Sequence, residues 1–222
     1  NNRLVIAPTE TRAAIATHDN GTFHLFLTAA GVHGIRNQLA DSVLRIPRDR
    51  MRVVAPDVGG GFGIKNCLYP EWPLMLVAAQ RLGCPVKWVQ DRAEDFVSTA
   101  QGRDNVTHAR LALDADGRFL GLDVHTIANL GAYMSGGGPG SSTNAPSAAM
   151  GGGYVIPAIA MDVRAAFTNT VPIDAYRGAG KPEANYLIER LIDVAARQFG
   201  FDATDLRRRN AKIGRASCRE RV

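Results

Sequence analysis

Cysteine is scarce in this sequence, with three among 222 residues: Cys67, Cys84 and Cys218. They form no CxxC pair and keep no zinc-ligand spacing, which argues against a disulfide scaffold and a structural zinc site and leaves a reduced intracellular protein as the expectation. Long apolar runs are missing too. Nothing approaches the roughly eighteen consecutive apolar residues of a spanning helix, so no membrane association is expected. The start, Asn1-Asn2-Arg3-Leu4, has neither an initiator Met nor a signal-peptide profile, and a cut within a longer chain is expected there. What is present is core material: 45% of residues are apolar, enough for one large packed domain or two small ones.

Acidic residues are outnumbered, 21 against 26 Lys and Arg, giving a formal charge of +5. The excess gathers at the end, from Arg207-Arg208-Arg209 onward. The last ten residues, 213–222, correspond to one reading frame of a common sequencing adapter and are expected to be read-through, not native protein. Removing their three arginines and one glutamate lowers the formal charge from +5 to +3 and takes Cys218 away. A nucleic-acid reading rests on this tail and falls with it.

Hydrophobic patterning predicts an α+β fold, with mixed sheets, β-hairpins and packed helices but no regular strand-helix alternation. Residues 15–18 and 22–28 flank Asp19-Asn20-Gly21, an Asn-Gly hairpin turn. Ile35, Leu39 and Val43 form a helix face ending before Pro47, and a short strand over 51–55 follows. A second helix over 71–82 carries Leu74, Met75, Val77 and Ala78, with Gly83 as its cap and Pro85 beyond. A strand is predicted over 86–90. Strands over 107–113 and 118–126 form a second hairpin, with Leu111, Leu113, Leu120, Leu122 and Val124 inward. Residues 131–153, rich in Gly, Ser, Ala and Pro, are either a linker or chain wrapped closely around a ligand or partner. A strand over 160–169, a helix over 182–199 and a short helix over 202–209 complete the pattern.

Asp57-Val58-Gly59-Gly60-Gly61-Phe62-Gly63-Ile64-Lys65 is the most informative stretch. Four glycines beside one aromatic suit neither strand nor helix, and they allow successive amides to face an anion with no side chain between. One basic side chain, Lys65, follows. The alternative is a tight strand-to-helix connection. Neither nucleotide template fits: Ile64 separates Gly63 from Lys65, as no P-loop allows, and it stands where a Rossmann turn needs glycine. A second loop, Asp174-Ala175-Tyr176-Arg177-Gly178-Ala179-Gly180-Lys181, places one arginine just before a strong helix. Free amides, the positive dipole end and a guanidinium together make an anion seat there, unless Arg177 is only a surface cation.

Taken in order, Asn2-Arg3-Leu4, Ala30-Gly31-Val32-His33, the glycine loop from Val54, Gln101-Gly102-Arg103-Asp104, Asn129 to Tyr133, Phe167-Thr168-Asn169, the arginine loop from Ala175 to Ala184, and Leu206 to Asn210 resemble the molybdenum-cofactor-binding large subunit of the xanthine dehydrogenase and aldehyde oxidase family, related also to carbon monoxide dehydrogenase large subunits. The resemblance implies that residues 1–212 are the N-terminal part of a first molybdopterin-binding region. It implies a molybdenum-molybdopterin cofactor in the cytosine dinucleotide form, with FAD and 2Fe-2S on partner subunits or domains arranged as a dimer of heterotrimers. The implied reaction hydroxylates a small molecule with water-derived oxygen. A cytoplasmic location is implied, with periplasmic export through a partner subunit as the other option.

Residue by residue, the resemblance assigns cofactor contacts to Gly31, Gly60, Gly61, Phe62, Gly63, Arg177 and Gly178, with Phe62 and Arg177 beside the metal's oxygen ligands without coordinating the metal. Substrate walls fall to Asn66, Tyr176 and Ala179. The family's catalytic glutamate lies in a Gly-x-Gly-Glu segment towards the C-terminus, so no catalytic residue is expected in this fragment, and Glu71, Glu94 and Glu183 are not candidates. Two departures stand out. Ala30 occupies the usual position of a Gln that hydrogen-bonds an oxygen ligand; His33 or Asn37 could compensate, or the site could be weaker or non-catalytic, a binding or assembly module. Gly178 stands where carbon monoxide dehydrogenases carry a copper-bearing Cys, and Asn66 and Ala179 depart from the purine oxidase pattern, which leaves an aldehyde or N-heterocycle as the expected substrate.

Overall fold

A computed structural model describes residues 2–212; the expected read-through, 213–222, and with it Cys218, lies outside the described residues. In chain order the elements are β1 (Arg3–Leu4), β2 (Ala13–Asp19), β3 (Thr22–Leu27), α1 (Val32–Asn37), β4 (Met51–Val54), α2 (Glu71–Leu82), β5 (Val86–Val89), α3 (Arg92–Ser98), β6 (Gly102–Arg103), β7 (Asn105–Leu113), β8 (Phe119–Gly131), α4 (Gly138–Ser142), α5 (Asn144–Ser147), β9 (Ile159–Phe167), α6 (Lys181–Phe199) and α7 (Ala203–Asn210). The architecture is α+β with mixed sheets, as the patterning predicts.

One sheet has the order β4-β3-β2-β5: β2 and β3 form the hairpin across Asn20-Gly21, β5 joins antiparallel to β2, and β4 runs parallel to β3. Its inner face, Ala14, Ala16, Phe23, Leu25 and Leu27, packs against Trp72, Met75, Leu76 and Ala79 of α2, Ile35 of α1 and Leu39 just after it. Each large apolar side chain taken fully from water here contributes about 1.5–3 kcal/mol. The second sheet has the order β7-β8-β9, with β9 parallel to β8. Its core joins Phe119, Leu122 and Val124 to Ile188, Ile192 and Ala195 of α6 and Leu206 of α7. The cap of α7 is the expected one: Asp202 accepts from the amides of Thr204 and Asp205.

Three inward positions are corrected. Val43 is 44% exposed because the chain after α1 widens into a π-helix, Gln38–Leu44, and the longer turn places Leu44 against the core in its stead. Leu74 is 68% exposed: the buried stripe of α2 runs one step round, through Trp72, Met75, Leu76 and Ala79. Leu120 is 50% exposed because the register slips where Ala112 pairs Gly121 but Leu113 pairs Phe119; Leu120 is bulged out and Phe119 turns inward. Helix α3 was not foreseen in the pattern; its cap, Asp91 accepting from the Glu94 amide, is a local signal.

Residues 131–153 contain α4 and α5 and pack against the protein's own chain. Gly131 lies so near Val171 and Pro172 that a Cβ would come within 2.6 Å of them, and Asp174 accepts hydrogen bonds from Ser135 and from the Gly137 amide. The segment closes over the start of the arginine loop.

Candidate functional site

The glycine loop leaves β4 and turns through three left-handed residues, Gly60 (φ 93°), Phe62 (φ 49°) and Gly63 (φ 111°), into a short 3-10 turn, Ile64–Asn66. Glycine is dictated at Gly63 by the neighbouring chain: a Cβ there would collide with the Ala175 carbonyl. The loop's cation is turned inward. Lys65 is fully buried and donates to Glu10 Oε2 at 2.9 Å, the same oxygen that accepts from the Gly59 amide at 2.8 Å. Burial tends to raise the Glu10 carboxyl, but the Lys65 and Gly59 bonds outweigh it and hold the group below its usual value. Lys65 is therefore committed inside the protein. Among the described residues, the amides of Gly61, Phe62 and Gly63 donate to no acceptor; Phe62 is exposed and Gly61 and Gly63 are half-buried.

The arginine loop is set by its neighbours. Asp174, 3% exposed, accepts from the Ala175 amide as well as from Ser135 and Gly137. The turn Gly178 (φ 97°), Ala179 (φ 38°), Gly180 (φ 83°) then delivers the chain into α6, with Pro182 in its first turn. Arg177 is exposed, and among the described residues its guanidinium has no hydrogen bond or ion pair.

The two loops meet. The Arg177 amide donates to the Phe62 carbonyl at 2.9 Å, and the Ala30 amide donates to the Lys65 carbonyl at 3.0 Å. Three segments distant in sequence thus converge, bringing Gly61, Phe62 and Gly63 beside Arg177 and Gly178, with Ala30 and Gly31 at the other end of the glycine loop. Gly31 (φ 72°) has open space where its side chain would be. An open cleft beside Arg177 is walled by Tyr176, Arg103, Tyr186, Asn2 and Leu4, among others. It includes Tyr176 and Arg177 but not Phe62, Asn66 or Ala179; Asn66 is exposed at the far end of the glycine loop. His33 is exposed, and Asn37 Oδ1 accepts from Arg36 at 3.2 Å.

Sequence reasoning missed the groups that hold this arrangement. Glu10 carries no local signal. Arg103 was visible only as part of Gln101-Gly102-Arg103-Asp104, with no role attached, yet it reaches the backbone of the arginine loop and the carboxylate of Glu183, which sits in the first turn of α6. Cys67 is buried, and that burial together with the nearby Asp174 charge pushes its thiol above the usual range.

Residues 1–211 match the family model described as the molybdopterin cofactor-binding domain. The chain is 36% identical over 210 residues to the 6-hydroxypseudooxynicotine dehydrogenase complex subunit gamma of Paenarthrobacter nicotinovorans, covering 94% of this chain and 26% of that one. It is 36% identical over 212 residues to the carbon monoxide dehydrogenase large chain of Hydrogenophaga pseudoflava, with the same coverage. The crystal structure of quinoline 2-oxidoreductase from Pseudomonas putida 86 superposes with a TM-score of 0.88 at 36% identity, over 94% of this chain and 27% of that one. The chain spans about a quarter of the length of the curated relatives it matches.

Proposed function

Since the chain belongs to the molybdopterin cofactor-binding domain family, among large molybdenum-binding subunits of the xanthine and carbon monoxide dehydrogenase kind, we propose that residues 1–212 form the first part of the cofactor-binding region of a molybdenum hydroxylase that oxidises an aldehyde or N-heterocycle with water-derived oxygen. The observation that carries this reading is the convergence of the glycine and arginine loops through the bond from the Arg177 amide to Phe62.

The donor set suits an oxygen-rich anion. Among the described residues the amides of Gly61, Phe62 and Gly63 have no acceptor and the guanidinium of Arg177, whose own amide is bonded to the Phe62 carbonyl, has no partner, while the neighbouring cations Lys65 and Arg103 are neutralised by Glu10 and Glu183. These amides and Arg177 would hold the molybdenum cofactor, with Gly31, Gly60 and Gly178 shaping the turns around it. The cofactor, when bound, supplies the redox chemistry. The chain's own part would be placement: the fixed amides would hold an anionic group without side-chain reorganisation, and Arg177 would add positive charge near it. Tyr176, Asn66 and Ala179 are proposed substrate walls. The cytosine dinucleotide form of the cofactor, electron transfer to iron-sulfur and FAD-binding partners in a dimer of heterotrimers, and a cytoplasmic location belong to the same proposal. Among the described residues no helix is long and apolar enough to cross a membrane.

The test is metal analysis and turnover of the full-length complex. The proposal expects molybdenum near one per large subunit, oxidation of aldehydes or N-heterocycles, and no oxidation of carbon monoxide, since Gly178 offers no sulfur for copper. A second reading, a non-catalytic binding or assembly module, is favoured by Ala30: its exposed methyl group cannot donate the hydrogen bond of the Gln usual at that position. Absence of molybdenum after expression with the cofactor-synthesis machinery would establish that reading.

A further inference from the structure

Arg103 and Asp104 are consecutive non-glycine residues with left-handed backbones, φ 71° and 72°. Each such residue costs about 1–2 kcal/mol and persists where its surroundings over-determine it. Gly102, just before, has no room for a side chain because a Cβ would lie 2.5 Å from Tyr176 Cβ. Asp104 is anchored by Arg3 at 2.9 Å and by the Asn129 amide group at 2.8 Å. The strained turn is thus pinned on both sides, and its effect is to aim one side chain.

That side chain is Arg103. Nη2 donates to the Arg177 carbonyl at 2.9 Å; Nη1 donates to the Tyr176 carbonyl at 3.3 Å and to both oxygens of Glu183 at 3.0 and 3.1 Å. The guanidinium also lies 4.9 Å from the centre of the Tyr176 ring. Combined with the bond from the Arg177 amide to Phe62, both backbone polar groups of Arg177 are engaged, one by the glycine loop and one by Arg103. The Arg177 side chain has no partner among the described residues. The Glu183 carboxylate balances the Arg103 charge, so Arg103 does not compete with Arg177 for an anion.

We propose that Arg103 is the positioning residue of the arginine loop: it holds the Arg177 peptide against the glycine loop so that the Arg177 guanidinium faces the anion seat from a fixed base. Lysine cannot replace it, because a single ammonium centre cannot serve two carbonyls and a carboxylate in the geometry of a planar fork. The consequence for catalysis rests on the proposed function; the consequence for loop order does not.

The experiment uses the full-length complex carrying Arg103→Met, Arg103→Lys or Glu183→Gln, and reads backbone hydrogen exchange together with kcat and KM. With Arg103→Met, amides of residues 175–181 are expected to exchange at least about tenfold faster, while those of the β7-β8 core and the middle of α6 keep their rates. The kcat falls about 10- to 100-fold with KM changed far less, Arg103→Lys does not rescue, and Glu183→Gln is intermediate. Unchanged exchange at 175–181, acceleration spread evenly over the core, or full rescue by Arg103→Lys overturns the proposal. If Arg103→Met does not accumulate folded, the same exchange pattern in Glu183→Gln decides. A wild-type complex without molybdenum or turnover would sink the proposed function and leave the exchange result to judge Arg103 alone.

Discussion

The glycine loop and the arginine loop solve opposite halves of one problem. Among the described residues, the first buries its cation, Lys65 on Glu10, and leaves the amides of Gly61, Phe62 and Gly63 without acceptors; the second ties its backbone, Arg177 to Phe62 and Arg103, and leaves its cation without a partner. Each contributes the kind of donor that the other withholds. The difference also separates two uses of glycine. Gly63 is glycine because the Ala175 carbonyl occupies its side-chain space, whereas Gly31 is glycine at a left-handed turn with open space around it. A glycine-rich stretch in sequence does not say which kind each residue is.

The most damaging way to break this pairing is Gly63→Ala. A methyl group would strike backbone that has no rotamer to yield, at φ 111°, and the expected loss is more than about 3 kcal/mol. Chemical denaturation of the variant measures it; a loss under about 1 kcal/mol would mean that the loops are not held together as described.

Next in size is the buried ion pair, where the two halves should be unequal. Glu10→Ala strands the fully buried Lys65 charge and is expected to cost about 2–3 kcal/mol, while Lys65→Met leaves a partly exposed Glu10 that water can reach, and costs less. Equal losses would show that the pair acts only by packing. The same pair gives a pH signature. Because the folded-state pKa of Glu10 lies below its ordinary 4.5, its stabilisation is present above that value and is lost as pH falls through the folded-state pKa. The denaturation midpoints of wild type and Glu10→Gln should therefore differ by a constant amount above about pH 5 and draw together in more acidic solution. A gap that widens on acidification refutes the assignment.

Gly31→Ala sharpens the comparison from the other side: with no neighbour to strike, it is expected to cost only the left-handed strain, about 1 kcal/mol. The smallest stability change belongs to Arg177→Ala. A guanidinium without a partner among the described residues can be removed with no change in the melting temperature of the cofactor-free protein, and scanning calorimetry would detect any hidden contact.

Much of the scaffold was legible in the sequence because it depends on local chemistry: Asn20-Gly21 forms the hairpin turn, Gly83 caps α2 in the left-handed region, and Asp202 caps α7. The misjudged faces at Val43, Leu74 and Leu120 depend on phase, and a π-turn or a bulge changes phase without changing composition. The candidate site was legible as two loops. Their junction was not, since the bond from Arg177 to Phe62 and the grip of Arg103 join residues 115 and 74 positions apart, and no local pattern encodes such a meeting.

The central claim is that free amides on one loop and a free guanidinium on the other face a single anionic ligand. Anomalous diffraction at the molybdenum edge from crystals of the full-length complex tests it most directly. The peak is expected beside the Phe62–Gly63 amides and within reach of the Arg177 side chain; a peak on any surface remote from both loops would contradict this.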